Sequence, residues 1–299
     1  MKHLLVLGTL MLALAISACT PSSPPTVLAE DRGTTLHEAR QLGNATLRVL
    51  YVEADGFAYT NAAGELTGVT VEIMRDFVAW YERYHATRID LEFVEEENWQ
   101  RFYQRIVDAD GGVFGLGNVT ITEARRQELQ FSPAYLNNVA VLITSDDIPE
   151  LGEWAEFTEA FADLQPMGFS GTLHETRVKA LRDAYQPDRD ILPATSNPQI
   201  IEAAAAGDVY SYIDAYNYWR AVEQGQPVRH HAIADEHGET FGIIMPHSND
   251  WVDMMTAFFA ADGGYRNTAR YREILTLHLG EALTETLENA RLQAEGSGM

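Results

Sequence analysis

The chain has 299 residues and a mass of 33.3 kDa, with 44 acidic residues against 21 Lys+Arg and a formal charge of −23. The length suits one large domain or two ordinary ones, and a hydrophobic content of 46% suits a packed core rather than disorder. So acidic a chain has no basic patch to neutralise phosphates or meet anionic headgroups, which argues against nucleic-acid binding and against membrane attachment by surface charge.

At the N-terminus, Lys2 and His3 precede an apolar run from Leu4 to Ile16 that ends in Ile16-Ser17-Ala18-Cys19. This is the basic start, apolar centre and small-residue cleavage site of an export signal, and it is too short for a comfortable membrane span. The final block resembles the bacterial lipobox, in which the cysteine is acylated and becomes the new N-terminus. The alternatives are an ordinary signal peptide with a chance cysteine, or a buried N-terminal helix. Cys19 is the only cysteine, so no intramolecular disulfide or cysteine-based metal site can form. Residues 1–18 are therefore expected to be a signal peptide and residues 19–33 an acylated Cys19 with a flexible tether, stiffened by the prolines of Thr20–Pro25. Two or more acyl chains would make that anchor stable.

The folded body is expected from Thr34. Leu47–Val52 reads as a strand, and Val71–Tyr84 as a helix with Ile73, Phe77, Trp80, Tyr81 and Tyr84 on one face. A strand at Ile89–Val94, a helix at Trp99–Val107 and a glycine-interrupted strand at Val113–Val119 follow, then a buried strand at Val139–Thr144. A second cycle starts at Met167, continues through a helix over Glu175–Tyr185 and reaches a strand at Val209–Ile213; another strand, Phe241–Met245, precedes a mostly helical remainder. The alternation predicts two α/β lobes, with chain crossings near residues 140–146 and 230–242.

Phosphate-binding loops, dinucleotide fingerprints, nucleophile elbows and His-Glu-x-x-His are all missing, and no cofactor is expected. His230, His231 and His237 invite a metal reading, but adjacent histidines on a strand face opposite ways, so they read as surface histidines at a hinge. The stretch Asn118–Arg126 is more informative. A strand ends there in Thr120 and Thr122, and the acidic Glu123 suits the first turn of a helix. Free backbone N–H groups, the Thr120 hydroxyl and the Arg125 guanidinium would converge on one small anion, a planar fork being suited to a carboxylate. The alternative is a helix cap beside a surface arginine.

That stretch, continued by Phe131-Ser132-Pro133-Ala134-Tyr135, resembles the Thr-x-Thr-x-x-Arg … Phe-Ser-x-Pro-Tyr signature of type 2 periplasmic substrate-binding proteins, in the polar amino-acid group, solute-binding family 3. Gly64–Ile73 is similar to that family's Gly-x-Leu-x-Gly-Phe-Asp-Val-Asp-Leu, with Val69 and Thr70 where Phe and Asp are usual. Met167–Thr172 resembles the turn opening the second lobe, Gly242–Pro246 the returning strand and Tyr271–Gly280 the closing helix. The ordered set spans residues 45–280. It implies the two-lobed periplasmic-binding-protein type 2 fold, with residues 34–142 and 241–290 forming lobe one, 143–240 lobe two and 291–299 a tail.

The same resemblance implies roles. Arg125 would grip a ligand carboxylate, helped by Thr120 and its N–H and by Thr172 at a helix N-terminus. Phe57 and Tyr59 would line a side-chain pocket, the alternative for Phe57 being core packing, and Gly68 would be a turn residue. The family's ammonium-binding Asp is displaced here: Ala215 stands at its usual distance from Gly207 and Asp214 one residue earlier. Either Asp214 serves, or no carboxylate faces the ligand's nitrogen. The neighbouring Tyr210, Tyr212, Tyr216, Tyr218 and Trp219 suit core packing for the most part. The chain thus reads as an exported, lipid-anchored protein on the periplasmic side, capturing a small amino acid-like solute for a membrane permease of the ABC type. Alternatives are an enzyme on the same fold such as a cyclohexadienyl dehydratase, a sensory or regulatory module, and a structural lipoprotein.

Overall fold

The computed structural model describes residues 31–296; the expected export signal, Cys19 and the tether as far as residue 30 lie outside the described residues. Asp31 to Gly33, expected to be tether, take part in the fold. Arg32–Gly33 (β1) pairs in parallel with Asp110–Gly111. Asp31, with only 2% of its surface exposed, accepts hydrogen bonds from Arg48 Nε at 2.7 Å and from Arg105 Nε and Nη2 at 2.8 and 2.9 Å. A Cβ at Gly33 would sit 2.0 Å from the Gly112 carbonyl oxygen, so only glycine lets these two backbones approach. Asp31 to Gly33 therefore belong to the body, not to a flexible tether.

From there the first lobe is built of α1 (Leu36–Leu42), β2 (Asn44–Tyr51), α2 (Val69–Tyr84), β3 (Arg88–Glu95), α3 (Trp99–Asp108), β4 (Val113–Thr120) and the four-residue α4 (Glu123–Arg126). Thr35 starts α1 with a reciprocal capping box to Glu38. In β2, Leu47 and Val49 pack into one core and Leu50 into another, as a strand covered on both faces requires. Apolar side chains spaced three and four apart, among them Ile73, Phe77 and Tyr81, seat α2 on the first of these cores. Gly68, at φ 122°, starts that helix where a Cβ would lie 2.4 Å from the Phe57 carbonyl, so it is a turn residue. The lobe closes with α8 (Val252–Ala260), α9 (Ala269–Leu279) and α10 (Glu281–Gly296), numbered after the second lobe's helices.

The second lobe holds β6 (Gln165–Phe169), α5 (Leu173–Tyr185), β7 (Leu192–Ala194), α6 (Asn197–Ala205), β8 (Val209–Asp214) and α7 (Ala215–Glu223). Two long strands, β5 (Leu136–Ser145) and β9 (Glu236–Met245), cross between the lobes and pair antiparallel with each other. Along the main sheet the order is β7-β6-β8-β5-β9-β4-β2-β3. The first crossing lies earlier than expected, at residues 136–140, which face 236–241 within the range expected for the second. The apolar run expected at the first hinge instead belongs to the second lobe, since Ala140 to Ile143 pair with β8 and alternate between that lobe's two cores.

Candidate functional site

A cavity of about 560 Å³ opens between the lobes, where strand ends and helix starts face one another. This is where α/β sheets place ligands, because loops and free helix N–H groups meet at the carboxyl ends of parallel strands. The first lobe contributes the loop after β2, the start of α3, the end of β4 and Arg125. The second contributes the starts of α5 and α6 and the junction of β8 with α7.

Thr120, Arg125, Thr172, Asp214 and Tyr59 all line the cavity. Thr120 ends β4, and its carbonyl accepts from Arg125 Nη1 at 3.0 Å. The cap of α4 is Thr122, whose hydroxyl accepts from the Arg125 backbone N–H at 3.2 Å. The Arg125 guanidinium has no carboxylate partner among the described residues. It lies 5.4 Å from the Trp99 ring centroid and 5.7 Å from that of Tyr103, and burial lowers its pKa against the opposing pull of Tyr103 and Glu128. A partly buried cation that meets one carbonyl and two aromatic faces, and no carboxylate among the described residues, is suited to receive an anion.

Across the cavity Thr172 precedes α5 and donates its hydroxyl proton to the Phe169 carbonyl at 2.7 Å, and Leu173 and His174 in the first turn of α5 line the cleft beside it. Asp214 ends β8; its Oδ1 accepts from Asn138 Nδ2 at 2.6 Å and from His174 Nε2 at 3.2 Å. The Tyr59 hydroxyl lies 3.1 Å from His278 Nδ1.

Phe57 does not line the cavity. It is 1% exposed and packs in the first lobe's core, its ring 4.5 Å from that of Tyr216. Of the aromatic cluster after Gly207, Tyr216 reaches the cleft, while Tyr210 and Tyr212 are core residues and Trp219 faces solvent. His230 and His231 diverge as strand alternation requires: His230 faces Asp235, whereas His231 is buried between Thr144 and the Leu151 N–H, and burial pushes its pKa down to about 4.

Sequence reading missed three groups of contributors. Trp99 and Tyr103 stand one helical turn apart and stack on each other beside Arg125, a spacing legible as a shared face. Asn118 takes φ 50°, rare for a residue with a side chain, and holds Tyr135 and Tyr216 by hydrogen bonds of 2.7 and 2.8 Å. Glu53, Glu95 and Glu97 add carboxylates to the wall, where Arg125 is the only Lys or Arg among the described lining residues; Asp55 is already paired with Arg220.

Comparison with known proteins agrees with this architecture. A family model for bacterial extracellular solute-binding proteins, family 3, matches residues 47–279. No curated protein matches. Among solved structures, the arginine-, lysine-, histidine-binding protein ArtJ from Geobacillus stearothermophilus aligns at 16% identity and a TM-score of 0.62, covering 79% of this chain and 96% of its own. A putative ABC-transporter binding component from Wolinella succinogenes, complexed with lysine, aligns at 15% identity and TM-score 0.63, with the same coverages. The ancestral amino acid-binding protein AncCDT-1, a precursor of cyclohexadienyl dehydratase, aligns at 16% and 0.59, covering 82% and 99%. Identities this low establish the fold of the chain.

Proposed function

The chain belongs to family 3 of the bacterial extracellular solute-binding proteins, and from that premise we propose that it captures a small carboxylate-bearing solute, an amino acid or a derivative, between its lobes and hands it to an ABC-type permease. The observation that carries this reading is the Arg125 guanidinium on the cavity wall, which has no carboxylate partner among the described residues. A ligand carboxylate placed there would gain a bidentate partner, the Thr120 hydroxyl and, on closure, the N-terminus of α5 beside Thr172. Asp214 stands on the opposite lobe for the ligand's ammonium. Glu53, Glu95 and Glu97 favour a side chain that ends in a cation, in keeping with the lysine and arginine named for two of the structural neighbours. Lobe closure about β5 and β9 would bury the ligand and mark the loaded state for the permease. We assign Cys19 to lipid attachment on the periplasmic side, and no reaction to the cleft.

The test is thermal unfolding of residues 20–299 against amino acids, amines, keto acids, small peptides, prephenate and arogenate. A ligand at a hundred times its dissociation constant stabilises by about 2.7 kcal/mol. For a chain of this size that raises the midpoint by roughly 5–10 °C. The reading expects such a shift with an α-amino acid, and prephenate and arogenate recovered unchanged. A flat panel, or turnover of either compound, would overturn it.

A further inference from the structure

Asp214 is one of five polar side chains that close a ring where the two crossing strands meet. Asn138, on β5 and 4% exposed, stands directly opposite Glu239 on β9. Its amide uses both hydrogens: Nδ2 donates to Asp214 Oδ1 at 2.6 Å and to Glu239 Oε2 at 3.1 Å. From α5, His174 Nε2 approaches the same Asp214 Oδ1 at 3.2 Å, and its Nδ1 lies 3.2 Å from Arg177 Nη1. Arg177 completes the ring by pairing with Glu239 Oε1. Arginine only donates, so His174 Nδ1 must accept, and the imidazole carries its proton on Nε2 and gives it to Asp214. Every link in the ring therefore has one direction.

Both donors converge on Oδ1. Oδ2 receives no hydrogen bond from the described residues, and Asp214 keeps 9% of its surface open in a residue that lines the cavity. A carboxylate with no such hold turns easily about its terminal torsion, which is broad for aspartate. A two-point hold on one oxygen removes that freedom and fixes where the other oxygen's lone pairs point.

We propose that Asn138 and His174 are positioning residues that present Asp214 Oδ2 to the ammonium of an amino-acid ligand, and that Glu239, by sharing the Asn138 amide across the paired crossing strands, ties this presentation to the geometry of the hinge. The inference rests on the amino-acid reading of the cleft. It separates the two ends of the ligand: the ring acts on the ammonium, whereas the carboxylate end belongs to Arg125 and is indifferent to it.

The experiment compares four L-amino acids with their 2-hydroxy-acid counterparts, in which a hydroxyl replaces the ammonium: arginine with argininic acid, leucine with 2-hydroxyisocaproate, phenylalanine with phenyllactate and glutamate with 2-hydroxyglutarate. Affinities are measured by calorimetric titration of wild type, Asn138→Leu, His174→Leu and His174→Gln. For an amino acid that wild type binds, either leucine variant is expected to weaken binding by roughly ten- to a hundredfold, the value of a hydrogen bond to a charged group. The hydroxy acid should bind those variants as it binds wild type. Glutamine keeps a donor where His174 Nε2 stands, so His174→Gln should retain most of the preference for the amine. Equal losses for amino and hydroxy acid, or no loss for either, would overturn the positioning role and leave the amino-acid reading standing. If wild type binds hydroxy acids as well as amino acids, or binds none of the eight, both readings fall together. The His174→Gln variant keeps the test open should Asn138→Leu fail to fold.

Discussion

Replacing Arg125 by alanine lowers affinity for a carboxylate ligand by roughly thirty- to several-thousandfold, while the empty protein unfolds at the same temperature as wild type or slightly above it. The first half follows from removing one member of a desolvated, hydrogen-bonded charge pair, which costs about 2–5 kcal/mol. The second half follows from the unliganded site. There the guanidinium has the Thr120 carbonyl and two aromatic faces but no carboxylate among the described residues, and burial already works against its charge. A side chain that was structural would show the opposite pattern, with a lower midpoint and an unaltered affinity. Arg125→Lys should recover only part of the loss, because an ammonium cannot make two parallel hydrogen bonds. Calorimetric titration and thermal unfolding of the same preparations read both halves.

The largest effect on stability is expected at Asp31. Asp31→Ala takes from Arg48 and Arg105 their shared buried carboxylate, leaving them Glu92 and Glu96 respectively, and breaking a buried pair in this one-sided way costs about 3–5 kcal/mol. The lower end applies, because the two arginines keep 22% and 23% of their side-chain surface exposed. The unfolding midpoint should fall by roughly 6–12 °C. The same cluster predicts sensitivity to acid. Burial acts to raise the Asp31 pKa, but the hydrogen bonds and charges of Arg105 and Arg48 outweigh it and hold the carboxyl below its ordinary range. Hydrogen bonds led by Arg101, with the Asn98 N–H and Arg105, hold Glu96 at about 2 against the pull of burial. A carboxyl whose pKa is depressed by folding contributes stability above its unfolded pKa and loses it as pH falls toward the folded value. Stability should therefore drop as pH falls from about 4.5 toward 2. Asp31→Ala should show a shallower drop, and equal slopes in chemical denaturation across that range would contradict the assignment.

The fold was legible because its signals are local. Residues 140–144 of the apolar run are buried on both faces of β5, and the i, i+3, i+4 spacing within 71–84 lies in α2. The glycines at 68 and 171 stand at positive φ where the turns require it. That Thr120 and Arg125 would come together was legible for a related reason: they are close in sequence, so one strand end and one short helix bring them to the same wall of the cavity. What could not be read depends on long-range pairing. Asp31 looked like tether because its partners lie 17 and 74 residues away. Asn138, His174, Arg177 and Glu239 carry no motif, and apart from the local His174–Arg177 contact their links span 40 to 101 residues. Phe57 and Tyr216 touch, and only the packed structure decides that Tyr216 turns to the cleft while Phe57 fills the core. The crossing point moved for the same reason, since pairing with β8, not local sequence, assigns Ala140–Ile143 to the second lobe.

The claim that a ligand carboxylate meets Arg125 is tested most directly by a cycle that changes one group on each side. The strongest-binding amino acid of the panel and its primary amide are titrated into wild type and into Arg125→Ala. The amide keeps the ligand's shape and removes only its negative charge. The predicted result is at least a tenfold preference of wild type for the acid, about 1.4 kcal/mol, and a preference close to unity in Arg125→Ala, so that the two changes are strongly coupled. Equal binding of acid and amide by wild type, or a preference that survives in Arg125→Ala, would contradict the carboxylate clamp.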